Sequence, residues 1–306
     1  MKNSKDVSYW SYTWKQMKKK KAGYAFIAPY YLLFTVFTIL PVLISIFFSF
    51  TYFNALEPPE FIGLDNFMRL FLHDDVFIIS IKNTLVFAVI TGPLSYIMCL
   101  LFAWFINELS RPLRVLFTII FYVPSISGGA YSIFSIIFHS DRYGIINGML
   151  IKMGFITEPI AWFQDPNYMM PIVIVVMLWM SLGTAFLSFI AGLQSVDRSL
   201  YEAGAVDGIK TRWHELWFIT LPYMKPQLMF GAVMAISGSF NVGAVGAVLC
   251  GQPSTDYAVH TIMNHLQDYG NIRFDMGYAC AIAALLFLLT MGVNKLINIL
   301  LRRVGD

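Results

Sequence analysis

The sequence predicts an all-α integral membrane protein with six transmembrane helices and both termini on the cytoplasmic side. Three observations carry this. The 306 residues are 58% hydrophobic and only 13% charged, against roughly 25% charged in soluble domains. Six apolar stretches, near 25–50, 84–106, 115–138, 170–193, 228–250 and 277–299, each approach or exceed the ~20 residues that a bilayer crossing requires. Positive charge is also unevenly shared. With the N-terminus inside, sixteen Lys and Arg fall on inward-facing segments and five on outward-facing ones, as the positive-inside bias demands. The net charge of +3 therefore describes topology, and no nucleic-acid partner is expected.

Residues 1–24 are a basic tail carrying Lys18 to Lys21 and the aromatics Tyr9, Trp10, Tyr12 and Trp14. Such a tail either lies at the headgroup level of the lipid bilayer or stays without fixed structure. Residues 25–306 then form one transmembrane domain. The first apolar run, Tyr24 to Phe50, is longer than the roughly 7–15 residues of a signal-peptide core, and Pro29 and Pro41 should kink it. An acidic outer loop from Asn54 to Val76 follows. Span 2 begins after Lys82-Asn83-Thr84, and Gly92-Pro93 should bend or break it. Past the inner loop Asn107–Arg114, span 3 contains Pro124-Ser125-Ile126-Ser127-Gly128-Gly129. That loosened backbone is acceptable at membrane depth only against protein or a wet cavity.

The outer segment 139–169 carries Trp162 and Phe163, which suit either a partner surface or interfacial packing. Cys99, Cys250 and Cys280 lie in or at the edges of spans and read as small buried hydrophobes. His260 and His265, in the last outer loop, have no Cys or carboxylate at ligand spacing, so no metal site is expected.

The longest polar interruption late in the chain is an inner elbow at about 197–222, built around Ser199 to Pro222. Ser199-Leu200-Tyr201-Glu202 reads as a capping box opening a helix from Leu200 to about Asp207. Gly208 would end that helix with a positive φ. A second helix would run from Thr211 to about Phe218, and Pro222 would mark the start of the next span. Together these features specify a rigid elbow where a loose loop would have served.

The rest of the chemistry is mild. There is no phosphate-binding Gly-rich loop, no His-Glu-x-x-His and no Gly-x-Ser-x-Gly. The span cores hold no Asp or Glu. A stand-alone secondary transporter usually needs ionisable groups or broken-helix ion sites at mid-membrane, and a membrane enzyme needs a nucleophile or metal cluster. If the chain moves a solute, the energy would come from another subunit.

The elbow resembles the Glu-Ala-Ala loop of bacterial binding-protein-dependent ABC importer permeases. That pattern is Glu-Ala-Ala, three residues, Gly, nine residues, Ile-x-Leu-Pro. Here it reads Glu202-Ala203-Gly204, three residues, Gly208, ten residues, Ile219-Thr220-Leu221-Pro222. Gly204 replaces the second Ala, and one residue is added before Ile219.

Gly63-Leu64-Asp65-Asn66-Phe67, Asn83-Thr84, Phe121-Tyr122-Val123-Pro124, Gly144-Ile145-Ile146-Asn147 and Ala191-Gly192-Leu193-Gln194 are similar to further family segments. Several of these point to the branch that imports oligosaccharides and polysaccharides.

The resemblance implies a type I importer half in a bacterial cell membrane. A second permease subunit would complete the pore, and a pair of ATP-binding subunits would hold ATP and Mg, with no cofactor in this chain. An extracytoplasmic solute-binding protein would deliver the carbohydrate. It also implies that the elbow couples to the ATPase through Glu202, Ala203, Gly204, Asp207, Gly208, Leu221 and Pro222. An ABC importer for a non-sugar solute stays open.

For the substrate path, span 4 offers Trp179, Ser181, Thr184 and Ser188, and span 5 offers Ser237, Ser239 and Asn241. Positions 181, 184 and 188 would share one helix face. Close helix packing would use the same residue types.

Overall fold

The computed structural model describes residues 13–303 other than 15, 18 and 241, with side chains as far as Ile299. Tyr9, Trp10, Tyr12 and Asn241 lie outside the described residues. Helix α1 (Lys21–Phe48) is one helical run with a π turn at Thr35–Ile39. That turn lies just ahead of Pro41, which cannot donate to the helix ladder. After the short hairpin β1 (Thr51–Tyr52) and β2 (Glu60–Phe61), α2 (Asp65–Leu72) leads into α3 (Asp75–Asn107). Helix α3 starts earlier than expected, because Asp74 caps it by accepting from the Phe77 N–H. It also continues through Gly92-Pro93, so the expected break is absent.

The third stretch is divided. Helix α4 (Arg111–Ile126) ends at the Ser127–Gly129 break, and α5 (Ser132–Ile137) is a separate turn and a half. The outer segment holds α6 (Ile145–Lys152). The fourth stretch is also broken: α7 (Pro166–Met180) and α8 (Thr184–Ser195) meet at an angle of 41°. The elbow holds α9 (Arg198–Val206) and α10 (Arg212–Glu215), and α11 (Lys225–Ser239) and α12 (Gly243–Cys250) follow. The chain finishes with α13 (Ile262–Gln267) and α14 (Met276–Arg303). Among the described residues, four helical runs are long and apolar enough to cross a membrane, and a fifth if the bent pair counts as one. This is a multi-pass membrane protein.

Helices α3, α8 and α11 form the packed centre. Phe186, Phe189 and Leu193 of α8 meet Cys99 and Ala103 of α3 and the buried Met224. A second cluster joins Phe87, Met169, Val173 and Val245 and takes in Phe163. The outer segment is therefore folded inward at Trp162 and Phe163. The Trp162 indole donates to Asn147 Oδ1 at 3.0 Å.

Three buried asparagines stitch distant outer segments together. Asn66 donates to the Ser49 and Thr51 carbonyls, and Asn83 to those of Tyr257 and His260. Asn147 donates to the carbonyls of His139, Asp141 and Ile160 and accepts from the Ile160 N–H. An amide offers two donors and an acceptor oxygen, so one side chain satisfies several buried backbone groups.

Candidate functional site: the elbow and the helix-break cavity

Asp197, not Ser199, opens the elbow. Its carboxylate accepts from the Ser199 N–H at 3.0 Å, and α9 begins at Arg198. The expected Ser199–Glu202 capping box is absent. The reciprocal cap lies elsewhere, at Thr261 and Asn264. Asp197 is a strong N-cap residue two positions upstream of the Ser, so Ser199 falls inside the first turn.

The far end of α9 follows the expectation closely. Asp207 is the C-cap, and Gly208 has φ +94°. The Gly208 N–H donates to Ala205 O at 3.3 Å and the Ile209 N–H to Gly204 O at 2.9 Å. This pair of bonds is a Schellman closure, and it needs a residue that tolerates the left-handed region. Gly204 is buried. A Cβ there would lie 2.6 Å from Ile219 Cδ1, so the departure from Ala leaves room for Ile219.

The second limb accommodates the added residue. Helix α10 is capped by Thr211, then passes through a π turn at Leu216–Thr220 into a last helical turn at Leu221–Tyr223. A π turn is how a helix absorbs one extra residue without losing its register at either end. Pro222 therefore sits within this limb and does not start a span. The break falls at Met224, and Pro226 occupies the first turn of α11. Tyr201 Oη and Thr220 Oγ1 lie 3.0 Å apart and join the two limbs. Arg212 ties the elbow to the end of α3 through Glu108 at 3.5 Å and pairs with Glu215 at 2.8 Å. On the outward side of α9, Glu202, Ala203 and Val206 are exposed.

Between their ends, α3, α4, α11 and the α7–α8 break line a cavity of about 390 Å³. Ser181, Thr184, Ser237 and Ser239 line it. Trp179 does not; it stands edge-on to Phe134 at 5.0 Å. Ser188 is half-buried further along α8. The shared face expected for 181, 184 and 188 fails because the helix stops between Ser181 and Thr184. The break itself turns those two toward the cavity. Sequence reasoning missed Thr91, Ser95, Tyr122 and Ser125, which also line it. The Pro124 and Gly128-Gly129 signal pointed to a cavity beside span 3 without naming these residues.

At the outer end, His265 Nε2 lies 2.9 Å from Asp74 Oδ2, and His260 Nε2 lies 3.4 Å from His265 Nδ1. The Tyr278 hydroxyl donates to the same carboxylate oxygen at 2.7 Å. Burial alone would raise the Asp74 pKa. The bonds from His265, Tyr278 and the Phe77 N–H outweigh it and hold the group well below the usual carboxylate range. Burial, helped by His265, lowers His260 to about 4.

A multi-pass helical protein with broken helices around a hydroxyl-bearing cavity, and a rigid polar elbow at one end, belongs to the class of membrane transport subunits. The comparisons give the family. The description "binding-protein-dependent transport system inner membrane component" matches residues 97–306, and the chain belongs to this family.

The chain is 32% identical to the probable ABC transporter permease protein YesP of Bacillus subtilis, over 87% of this chain and 85% of that one. It is 31% identical to the arabinooligosaccharides transport system permease protein AraP of the same organism, over 92% and 89%. A solved bacterial alginate ABC transporter, in complex with an alginate pentasaccharide-bound periplasmic protein, superposes with a TM-score of 0.79. The identity there is 26%, and the match covers 96% of this chain and 98% of that one.

Proposed function

We propose that the chain is one of two permease subunits of an ATP-driven carbohydrate importer, with six spans and both termini in the cytoplasm. The Schellman-closed elbow carries this reading. A segment tied at both limbs, with Glu202, Ala203 and Val206 facing outward, can transmit a push without dissipating it. Its partner would be an ATP-binding subunit that holds ATP and Mg. Glu202 would meet a basic side chain there, with Ala203, Asp207 and Gly208 at the contact. Gly204, Leu221 and Pro222 would shape the limbs.

The cavity would be this chain's share of the translocation path, with Ser181, Thr184, Ser237 and Ser239 facing the solute. Trp179 and Ser188 would then support the path by packing. An extracytoplasmic solute-binding protein would deliver an oligosaccharide or polysaccharide fragment, in line with the named relatives. ATP binding would shift a pre-existing equilibrium between inward- and outward-open states. Affinity purification of the tagged chain from its own membranes tests the assembly. A second permease and an ATP-binding subunit should co-purify in stoichiometric amounts. Recovery of the chain alone from mild detergent would contradict it.

A further inference from the structure

We infer that this chain's half of the path is built for uncharged sugar and excludes uronate-bearing, acidic oligosaccharides. The inference rests on the reading of the cavity as part of the translocation path. Among the described residues, none of the side chains lining that space of about 390 Å³ is Lys, Arg, His, Asp or Glu. Its polar side chains carry hydroxyl groups, and five of these eight hydroxyls donate back to their own helix. Thr91 Oγ1 donates to Phe87 O at 2.8 Å and Ser95 Oγ to Gly92 O at 3.1 Å. Ser125 Oγ donates to Tyr122 O at 2.8 Å, Ser181 Oγ to Leu178 O at 2.7 Å and Ser239 Oγ to Ile236 O at 2.7 Å.

With each of these five hydrogens placed on the hydroxyl's own helix, the oxygens present lone pairs to a ligand, and the hydroxyls of Tyr122, Thr184 and Ser237 complete the neutral lining. A lining of neutral hydroxyls, most of them presenting acceptors, suits a ligand that brings donors, and a neutral sugar brings a hydroxyl on nearly every carbon. A carboxylate is acceptor-only. It would meet mostly lone pairs, no cation among the described residues, and the apolar groups of Met177, Met180 and Met234. Burying it there leaves a charge without a partner, the costliest kind of desolvation. Similarity to a transporter of an acidic polysaccharide therefore does not bring that charge preference to this chain.

The test is uptake by the assembled importer in its own cells. The probes are radiolabelled tetra- and pentasaccharides of neutral glucan, xylan, arabinan and galactan type, against uronate oligosaccharides of the same lengths. The expected result is that the carried probes are neutral and exceed any uronate by at least tenfold.

Ser181→Lys, with Thr184→Lys as the second position, places a cation in the cavity. In at least one of the two, the uronate-to-neutral uptake ratio should rise severalfold, a readout independent of how much protein is inserted. Uronate uptake at a rate comparable to neutral sugar in the native importer overturns this inference and leaves the carbohydrate reading standing. An unchanged ratio in both variants also overturns it, because charge would then be read elsewhere. If no saccharide of either kind is carried, the carbohydrate reading fails and this inference with it.

Discussion

Gly208 holds φ at +94° with nothing within 4 Å of where a Cβ would stand. Space does not limit this position; backbone conformation does. A β-branched residue forced into that region costs ~1–2 kcal/mol or more, enough to open the Schellman turn and let α9 swing. Gly208→Val should therefore insert and assemble normally yet lose at least tenfold in transport, measured as uptake per membrane-resident copy. Normal uptake would remove the turn from the proposed coupling. Gly204 presents the opposite case. Its constraint is the end of the flexible Ile219 side chain, which can rotate away, so an Ala there is tolerable.

The asparagines show what a sequence reading can and cannot deliver at this scale. Asn66, Asn83 and Asn147 stood out as parts of short family-like segments. The reason for each became visible only when their backbone partners, up to 177 residues away, were in place.

At the scale of elements, the spans and the elbow were legible because hydropathy, Pro and Gly act locally. Three of the expected spans appear as single helical runs, and a fourth is shared by α11 and α12. The misses have physical causes. Pro93 lies inside a helix long enough, and packed closely enough on α8 and α11, to carry a lost bond. Span 4 broke at Leu182-Gly183, where no Pro advertises it. Two residues competed to cap α9, and the acidic one won.

That last assignment is testable. Asp197→Ala should lower the stability of α9 by ~1 kcal/mol, typical of a lost N-cap. Hydrogen exchange of amides 199–206 should accelerate about fivefold. Ser199→Ala should leave exchange unchanged. The reverse ranking would restore Ser199 as the cap. The π turn was also invisible in advance. An added residue can be absorbed as a loop, a bulge or a wider helical turn, and only packing of both limbs against each other decides between them.

At the scale of the whole molecule, the outer end is held by contacts between segments remote in sequence. Asp74 at the start of α3, His265 of α13 and Tyr278 of α14 share one carboxylate. Arg69 reaches Asp275 at 2.8 Å and lies over the Tyr278 ring. The pH dependence follows from the two shifted groups.

His260 is lowered from 6.5 to about 4, with His265, Asp268, Asp74 and Arg273 around it. The unfolded chain therefore binds a proton in that window while the folded one stays neutral, so stability falls as pH drops from 6.5 toward 4. Asp74 is depressed below its ordinary 3.8. Its contribution is full above that value and is lost only at lower pH. Thermal unfolding of the purified protein should show a falling midpoint between pH 6.5 and 4, and His260→Gln should flatten that slope. An equal slope in the variant would place the titration elsewhere.

The same scale decides the function. A chain with no Lys, Arg, His, Asp or Glu among the described residues lining its cavity, and a braced elbow with an exposed face, should move nothing unaided. Uptake of a neutral oligosaccharide into proteoliposomes tests this most directly, comparing the chain alone with the chain joined by its co-purifying permease, ATP-binding subunits and solute-binding protein. The account predicts ATP-dependent accumulation in the complete assembly and none by the chain alone. Accumulation by the solitary chain, with or without ATP, would contradict it.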